Sequence, residues 1–217
     1  MKKYKIVVFD VDGTLLDTTE GVLSSVIYTI KEHRLRMLPE EQLKCFIGPP
    51  IQDSFQKFYH CSKEDAQQLA ETFRNRYKDI DLLKAVPYPG IYEVFEGLKT
   101  EGIKLAVATY KRQDYATKIL EHFGFHKYTS VLYGADPYNK LKKKDIIEKC
   151  MIDLGEMDYS QAVMVGDSDN DAIGALNLGM HFLGVTYGFG FKANEQDAYP
   201  NLIGWACTPK EVLSILT

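Results

Sequence analysis

Cysteine is scarce. The four residues, Cys45, Cys61, Cys150 and Cys207, stand far apart with no C-x-x-C pair, which argues against a disulfide framework or a thiolate zinc site and suits a reducing compartment. Histidine is scarce too, and the five residues at 33, 60, 122, 126 and 181 suggest no metal-ligand set. Positive charge is not in surplus: the net charge is −4, so nucleic acid is not expected as a partner. Long apolar runs are absent. The basic start Met1–Lys5 leads into an apolar stretch that Asp10 and Asp12 interrupt, too short for a signal peptide or a membrane span. The expectation is a cytoplasmic protein with no membrane partner. Repeats are lacking, and the only biased segment is the lysine run at 140–144.

What remains suits a globular chain with a sizeable core: 217 residues, 45% hydrophobic and 26% charged. Short continuous apolar runs recur at 5–9, 104–109, 130–134, 162–166 and 181–185. Runs without alternation predict strands buried on both faces, as in a parallel sheet covered by helices. Helical patterns at 91–101, 114–123 and 171–178 separate several of them, with Gly124 and Gly179 as stops. The stretch 17–86 holds no convincing strand and reads as helices at 19–35, 39–46, 51–59 and 63–84, broken at Gly48-Pro49-Pro50. Loops in α/β units run to about 2–6 residues, so this stretch is read as an inserted helical subdomain. The expected architecture is an α/β core, 1–16 and 87–217, with an all-helical cap at 17–86.

Two acid clusters follow apolar runs. Asp10-Val11-Asp12-Gly13-Thr14 comes after the first, and Gly166-Asp167-Ser168-Asp169-Asn170-Asp171 after the fourth. Carboxylates at the ends of buried strands are costly unless a cation is near, and ligands of open parallel sheets bind at that edge. Asp-x-Asp-Gly alone reads equally as a turn, and the second cluster tips it toward one metal-bearing site. Thr109 follows the second run and alone would be a helix N-cap. Counting back four residues from Ile147, on a helix that buries Ile147, Cys150 or Met151 and Leu154, reaches Lys143, the candidate cation facing the acids. Lys140 and Lys142 stand behind it, and Lys144 points to solvent. Lys111 and Arg112 read equally as surface charges or as groups that meet an anionic substrate. Gly188-Phe189-Gly190 reads as a phosphate loop or a plain turn, and Trp205 and the tyrosines as packing residues.

Asp10-x-Asp12-Gly13-Thr14, Thr109, a lysine near 143 and Gly166-Asp167-x-x-x-Asp171 together resemble the four motifs of the haloacid dehalogenase-like hydrolase superfamily. Pro89-Gly90 and Phe46-Ile47-Gly48-Pro49-Pro50 are similar to its phosphoglycolate phosphatase and 5′-nucleotidase-like branch. The third motif lacks the usual Lys-Pro pairing, which leaves the choice of lysine open.

The resemblance implies a Rossmann-like core, a helical cap and a Mg²⁺-dependent phosphatase that acts on a small phosphorylated metabolite. It implies Asp10 as the nucleophile forming an aspartyl-phosphate and Asp12 as the general acid and base. Metal ligands would come from Asp10, the Asp12 carbonyl and Asp167, with Asp171 in or just behind them. Thr109, Lys143 and amides near Gly13 would hold the phosphoryl group, Tyr110 and Lys111 would lie on the substrate side, and Gly48 is either a cap residue facing substrate or a simple helix–helix turn. A monomer or weak homodimer is expected. A phosphomutase similar to β-phosphoglucomutase shares these residues. A receiver-type signalling domain also gathers aspartates, a threonine and a lysine, but its order of motifs differs and it has no room for the 17–86 insertion.

Overall fold

The four residues of β1 (Ile6–Phe9) are all fully buried, and the main sheet is built around them. The computed structural model describes residues 4–137, 140–192 and 199–217. After β1 come β2 (Leu16–Asp17) and four helices, α1 (Thr19–Glu32), α2 (Glu40–Lys44), α3 (Ile51–Tyr59) and α4 (Lys63–Arg76). Strand β3 (Val86–Pro87) precedes α5 (Ile91–Thr100), β4 (Lys104–Arg112), α6 (Gln113–His122), β5 (Leu132–Ala135) and α7 (Lys143–Asp153). The chain ends with β6 (Ala162–Gly166), α8 (Asp169–Leu176), β7 (His181–Val185), β8 (Leu202–Ala206) and α9 (Pro209–Leu216). It falls into two compact units, Met1–Leu16 with Pro87–Thr217, and Asp17–Val86. Among the described residues no helix is long and apolar enough to cross a membrane.

In the first unit six strands lie in the order β5-β4-β1-β6-β7-β8, and each paired neighbour is parallel. Helices cover both faces, which explains why the strands read as unbroken apolar runs. Ile6 and Val8 share a core with Ile147 of α7 and Ala172 of α8. On the opposite face Phe9 stacks on Phe95 of α5, with ring centroids 4.8 Å apart. This is the Rossmann-like α/β architecture expected from the sequence.

Three local expectations change. Strand β4 runs on through Arg112, three residues beyond its apolar run. Strand β8 has no counterpart among the apolar runs: it is half-exposed at the sheet edge and contains Gly204. In the second unit the helix expected over 63–84 ends as α4 at Arg76. The backbone then widens into a π-helical turn, Tyr77–Asp81, in which the Leu82 N–H reaches the Tyr77 carbonyl at 2.7 Å. The apolar positions Val22, Val26 and Ile30 of α1 and Ala66, Leu69 and Phe73 of α4 are buried, as helical spacing requires.

Candidate active site

The register of the central strands assembles the site. Phe9 pairs with Val107 on one side and Val165 on the other, and the Asp10 N–H donates to the Val165 carbonyl at 3.0 Å. Asp10 and Asp167 therefore follow the carboxyl ends of adjacent strands, and Thr109, two residues past Val107 within β4, lies at the same edge. All three are buried, as are Asp12 and Asp171.

Each acid is held from a different direction. Asp171 closes a capping box at the start of α8, its Oδ2 accepting from the Ser168 N–H at 3.2 Å and the Ser168 hydroxyl at 2.7 Å. Its Oδ1 lies 2.6 Å from the Lys143 ammonium, which also lies 2.7 Å from Oδ1 of Asp10. Lys143, 3% exposed, begins the buried face of α7 that continues through Ile147 and Cys150. Its stem passes over Gly174, where a Cβ would come within 2.9 Å of it. Lys140, Lys142 and Lys144 are exposed, so the lysine that serves the acids is Lys143.

Asp167 is held by a loop. Its Oδ2 accepts from the backbone N–H groups of Phe189 at 2.7 Å and Gly190 at 3.1 Å. Gly188-Phe189-Gly190, which read as a phosphate loop or a plain turn, thus donates to a carboxylate. The approach depends on missing side chains: a Cβ at Gly13, at φ +80, would fall 2.0 Å from Asp167 Oδ2, and one at Gly188 would fall 2.2 Å from the Gly13 carbonyl. The Tyr187 hydroxyl donates to the Thr14 carbonyl at 3.1 Å and ties the same loop to the first motif. Neither contact leaves a periodic signal in the sequence. The pair of glycines around Phe189 was the one available clue.

The substrate-side candidates sort unevenly. The Thr109 hydroxyl accepts from the Lys111 N–H at 3.1 Å and keeps its own hydrogen for donation. Lys111 turns inward to Asp12, with 3.0 Å between Nζ and Oδ1, whereas Arg112 pairs with Asp114 at the surface. Tyr110 supports Lys143: its hydroxyl accepts from the Lys143 N–H at 3.0 Å, and its ring lies beneath the ammonium at 5.8 Å. Of the amides near Gly13, the Gly13 N–H itself donates to the Leu16 carbonyl at 3.0 Å inside the turn. What Gly13 supplies here is space for Asp167. Gly48, at φ +97, lies between α2 and α3 in the second unit. His122 and His126 stand four residues apart, but Gly124 ends the helix between them and both are exposed.

Burial, reinforced by the charges of Asp171 and Asp12, outweighs Lys143 and pushes the Asp10 carboxyl up to about 7. Burial together with Asp171 and Asp10 pushes Asp167 up to about 8, against the pull of the two loop amides. Burial disfavours the Lys143 charge, yet Asp10 and Asp171 more than offset it and hold the ammonium above its ordinary range. One lysine is too little for this much carboxylate. Oxygen atoms of Asp10, Asp167 and Asp171 lie within 4.8 Å of one another, a set of hard donors that fits a divalent cation such as Mg²⁺.

Residues 7–185 match the family described as haloacid dehalogenase-like hydrolase. A 5′-nucleotidase from Pseudomonas aeruginosa is 30% identical, over 87% of this chain and 85% of its own. A phosphoglycolate phosphatase from Caulobacter vibrioides is 30% identical, over 97% of this chain and 92% of its own. A solved haloacid dehalogenase-like hydrolase from Streptococcus pneumoniae superposes with a TM-score of 0.89 at 28% identity, covering 100% of both chains. The motifs, the sheet order and these likenesses agree: the chain belongs to the haloacid dehalogenase-like hydrolase family.

Proposed function

We propose that the protein is a Mg²⁺-dependent phosphatase that cleaves a small phosphomonoester through an aspartyl-phosphate on Asp10. The reading is supported chiefly by Lys143, which pairs at 2.7 and 2.6 Å with Asp10 and Asp171 while their oxygens and that of Asp167 gather within 4.8 Å. Asp10, the Asp12 carbonyl and Asp167 would hold the ion, and Asp171 would steady both the ion and Lys143. Mg²⁺, when bound, offsets the charge of the aspartates and of the phosphate dianion and keeps Asp10 ionised.

The chain's own residues account for the rest. As the bond from Asp10 to phosphorus forms, the bond to the leaving oxygen breaks, and that oxygen takes the Asp12 proton. Water then attacks the aspartyl-phosphate and gives its proton to Asp12, which releases phosphate and restores Asp10. The Thr109 hydroxyl and the Lys143 ammonium hold phosphoryl oxygens as charge develops on them. The 17–86 unit is the proposed cap that selects the substrate. Relatives named for a nucleoside 5′-phosphate and for phosphoglycolate suggest a small phosphorylated metabolite of one of these kinds.

A panel of phosphorylated metabolites assayed with Mg²⁺ and with a chelator tests the reading. Inorganic phosphate should appear only with the metal, and glucose 1-phosphate should not isomerise. Asp10→Asn should lower kcat at least about a thousandfold and leave a cooperative thermal melt. Activity within about tenfold of wild type would remove Asp10 as the nucleophile.

A further inference from the structure

The ladder between β4 and β5 skips. Ala108 pairs with Tyr133 and the next pair is Arg112 with Ala135, so residues 109–111 of β4 stand opposite Gly134 alone. Such a bulge re-aims side chains. Gly134 makes room for it, since a Cβ there would fall 2.4 Å from the Lys111 carbonyl and 2.8 Å from Gln113 Cα. Two further bonds pin it: the Lys111 N–H donates to Thr109 Oγ1 at 3.1 Å, and the Gly134 N–H to Gln113 Oε1 at 2.7 Å. The result is a lysine side chain only 6% exposed, with its ammonium 3.0 Å from Oδ1 of Asp12. Burying a lysine is costly, and one aimed at a carboxylate beside the reacting centre fixes that carboxylate's rotation.

We infer that Lys111 is a positioning residue for the proton transfer made by Asp12. With Oδ1 anchored, the carboxyl plane is set and the second oxygen keeps a fixed direction toward the leaving group. The inference rests on the phosphatase reading and goes beyond it, because it gives Lys111 a part in leaving-group departure and not in phosphate capture. As Asp10 bonds to phosphorus, the electron pair of the breaking P–O bond moves to the leaving oxygen. An alkoxide needs the Asp12 proton to depart as the alcohol. p-Nitrophenolate departs without one.

The test compares kcat/KM for p-nitrophenyl phosphate with that for the aliphatic phosphomonoester the wild type handles best. This parameter covers the steps up to the aspartyl-phosphate. Lys111→Gln should lower the aliphatic-to-aryl ratio about tenfold or more, as expected when general acid catalysis is lost. Lys111→Arg should recover most of that ratio. In an Asp12→Asn background, Lys111→Gln should change the ratio less than about twofold, since the group it positions is gone. Melting curves verify that each variant is folded, and the arginine variant keeps the test open if the glutamine variant is not. Equal losses on both substrates, or no loss, would overturn the inference. Failure of the phosphatase reading looks different: the wild type then hydrolyses neither ester, and the inference falls with it.

Discussion

Two groups of buried aspartate occur in this molecule, and their charge is settled in opposite ways. Asp81, in the 17–86 unit, is 0% exposed and accepts from Ser25 at 2.9 Å, Arg76 at 3.0 Å and Lys84 at 2.8 Å. Burial pushes its carboxyl up, but Lys84, Ser25 and Arg76 together bring it below the ordinary range. At the sheet edge, oxygens of Asp10, Asp167 and Asp171 gather within 4.8 Å of one another, Lys143 pairs with only Asp10 and Asp171, and Asp10 and Asp167 are pushed up to about 7 and about 8. A structural carboxylate is surrounded by its own counter-charges. The proposed site for a cation and a phosphate dianion is left short of them.

The largest expected effect separates the two groups by substitution. On the proposed mechanism Lys143→Met removes a donor from the phosphoryl group and should lower kcat about a hundredfold or more. Asp81→Ala should lower stability by about 1–3 kcal/mol, because Arg76 and Lys84 keep partial access to water, while kcat of the folded fraction stays within about threefold. Urea denaturation and steady-state kinetics on both variants check this. An inactive Asp81→Ala beside an active Lys143→Met would invert the comparison.

The unequal compensation also sets a pH dependence. Asp10 and Asp167 bind protons more tightly folded than unfolded, from an ordinary 3.8 to about 7 and about 8. Their contribution is therefore fullest at acid pH and is lost as pH rises through 7 and 8, at no more than about 1.4 kcal/mol per pH unit for each. Lys143, raised from 10.5, stays protonated across this window and adds no slope. Metal-free protein should melt at lower temperature as pH rises from about 5.5 to about 8.5, and Mg²⁺ should restore more of the melting temperature at the higher pH. A Mg²⁺ shift of equal size at both ends would mean that the carboxylates are not what the ion neutralises.

Legibility in the sequence followed how local the cause was. The first and fourth apolar runs became β1 and β6, because a strand buried on both faces needs nothing but its own residues. Helical counting reaches Lys143, since the face of α7 is periodic. Strand β8 escaped because it depends on a distant partner: Trp205 packs on Gly184, where a Cβ would lie 2.3 Å from the indole. The early end of α4 follows from Asp81, which draws Arg76, Ser25 and Lys84 together across an apolar pattern that continues to the buried Tyr77. Lys111 and Arg112, neighbours that no local rule separates, are parted by a bulge that exists only when β4 and β5 pair. For β8 and for the parting of Lys111 from Arg112 the deciding atom belongs to another segment of the chain, whereas Asp81 gathers two of its partners from its own turn and only Ser25 from afar.

The smallest effect tests whether single hydrogen bonds in the two regions carry different consequences. Ser25→Ala removes one of three groups on Asp81 and should cost about 1 kcal/mol of stability and nothing else. Tyr187→Phe removes the bond to the Thr14 carbonyl and leaves the ring edge-on to Tyr88, with centroids 4.8 Å apart, so its stability cost should be similar, about 1 kcal/mol. Tyr187, however, heads the loop whose Phe189 and Gly190 amides orient Asp167. Groups that orient a metal ligand are worth about 10–100-fold in affinity when lost outright. Loosening the loop at one end should therefore raise the Mg²⁺ concentration for half-maximal activity by a few-fold, short of about tenfold. Mg²⁺ titrations of both variants read the difference. If Tyr187→Phe moved the melting temperature but not the Mg²⁺ requirement, the Tyr187 bond would serve packing alone, and the Phe189 and Gly190 amides would hold Asp167 without help from the tie to Thr14.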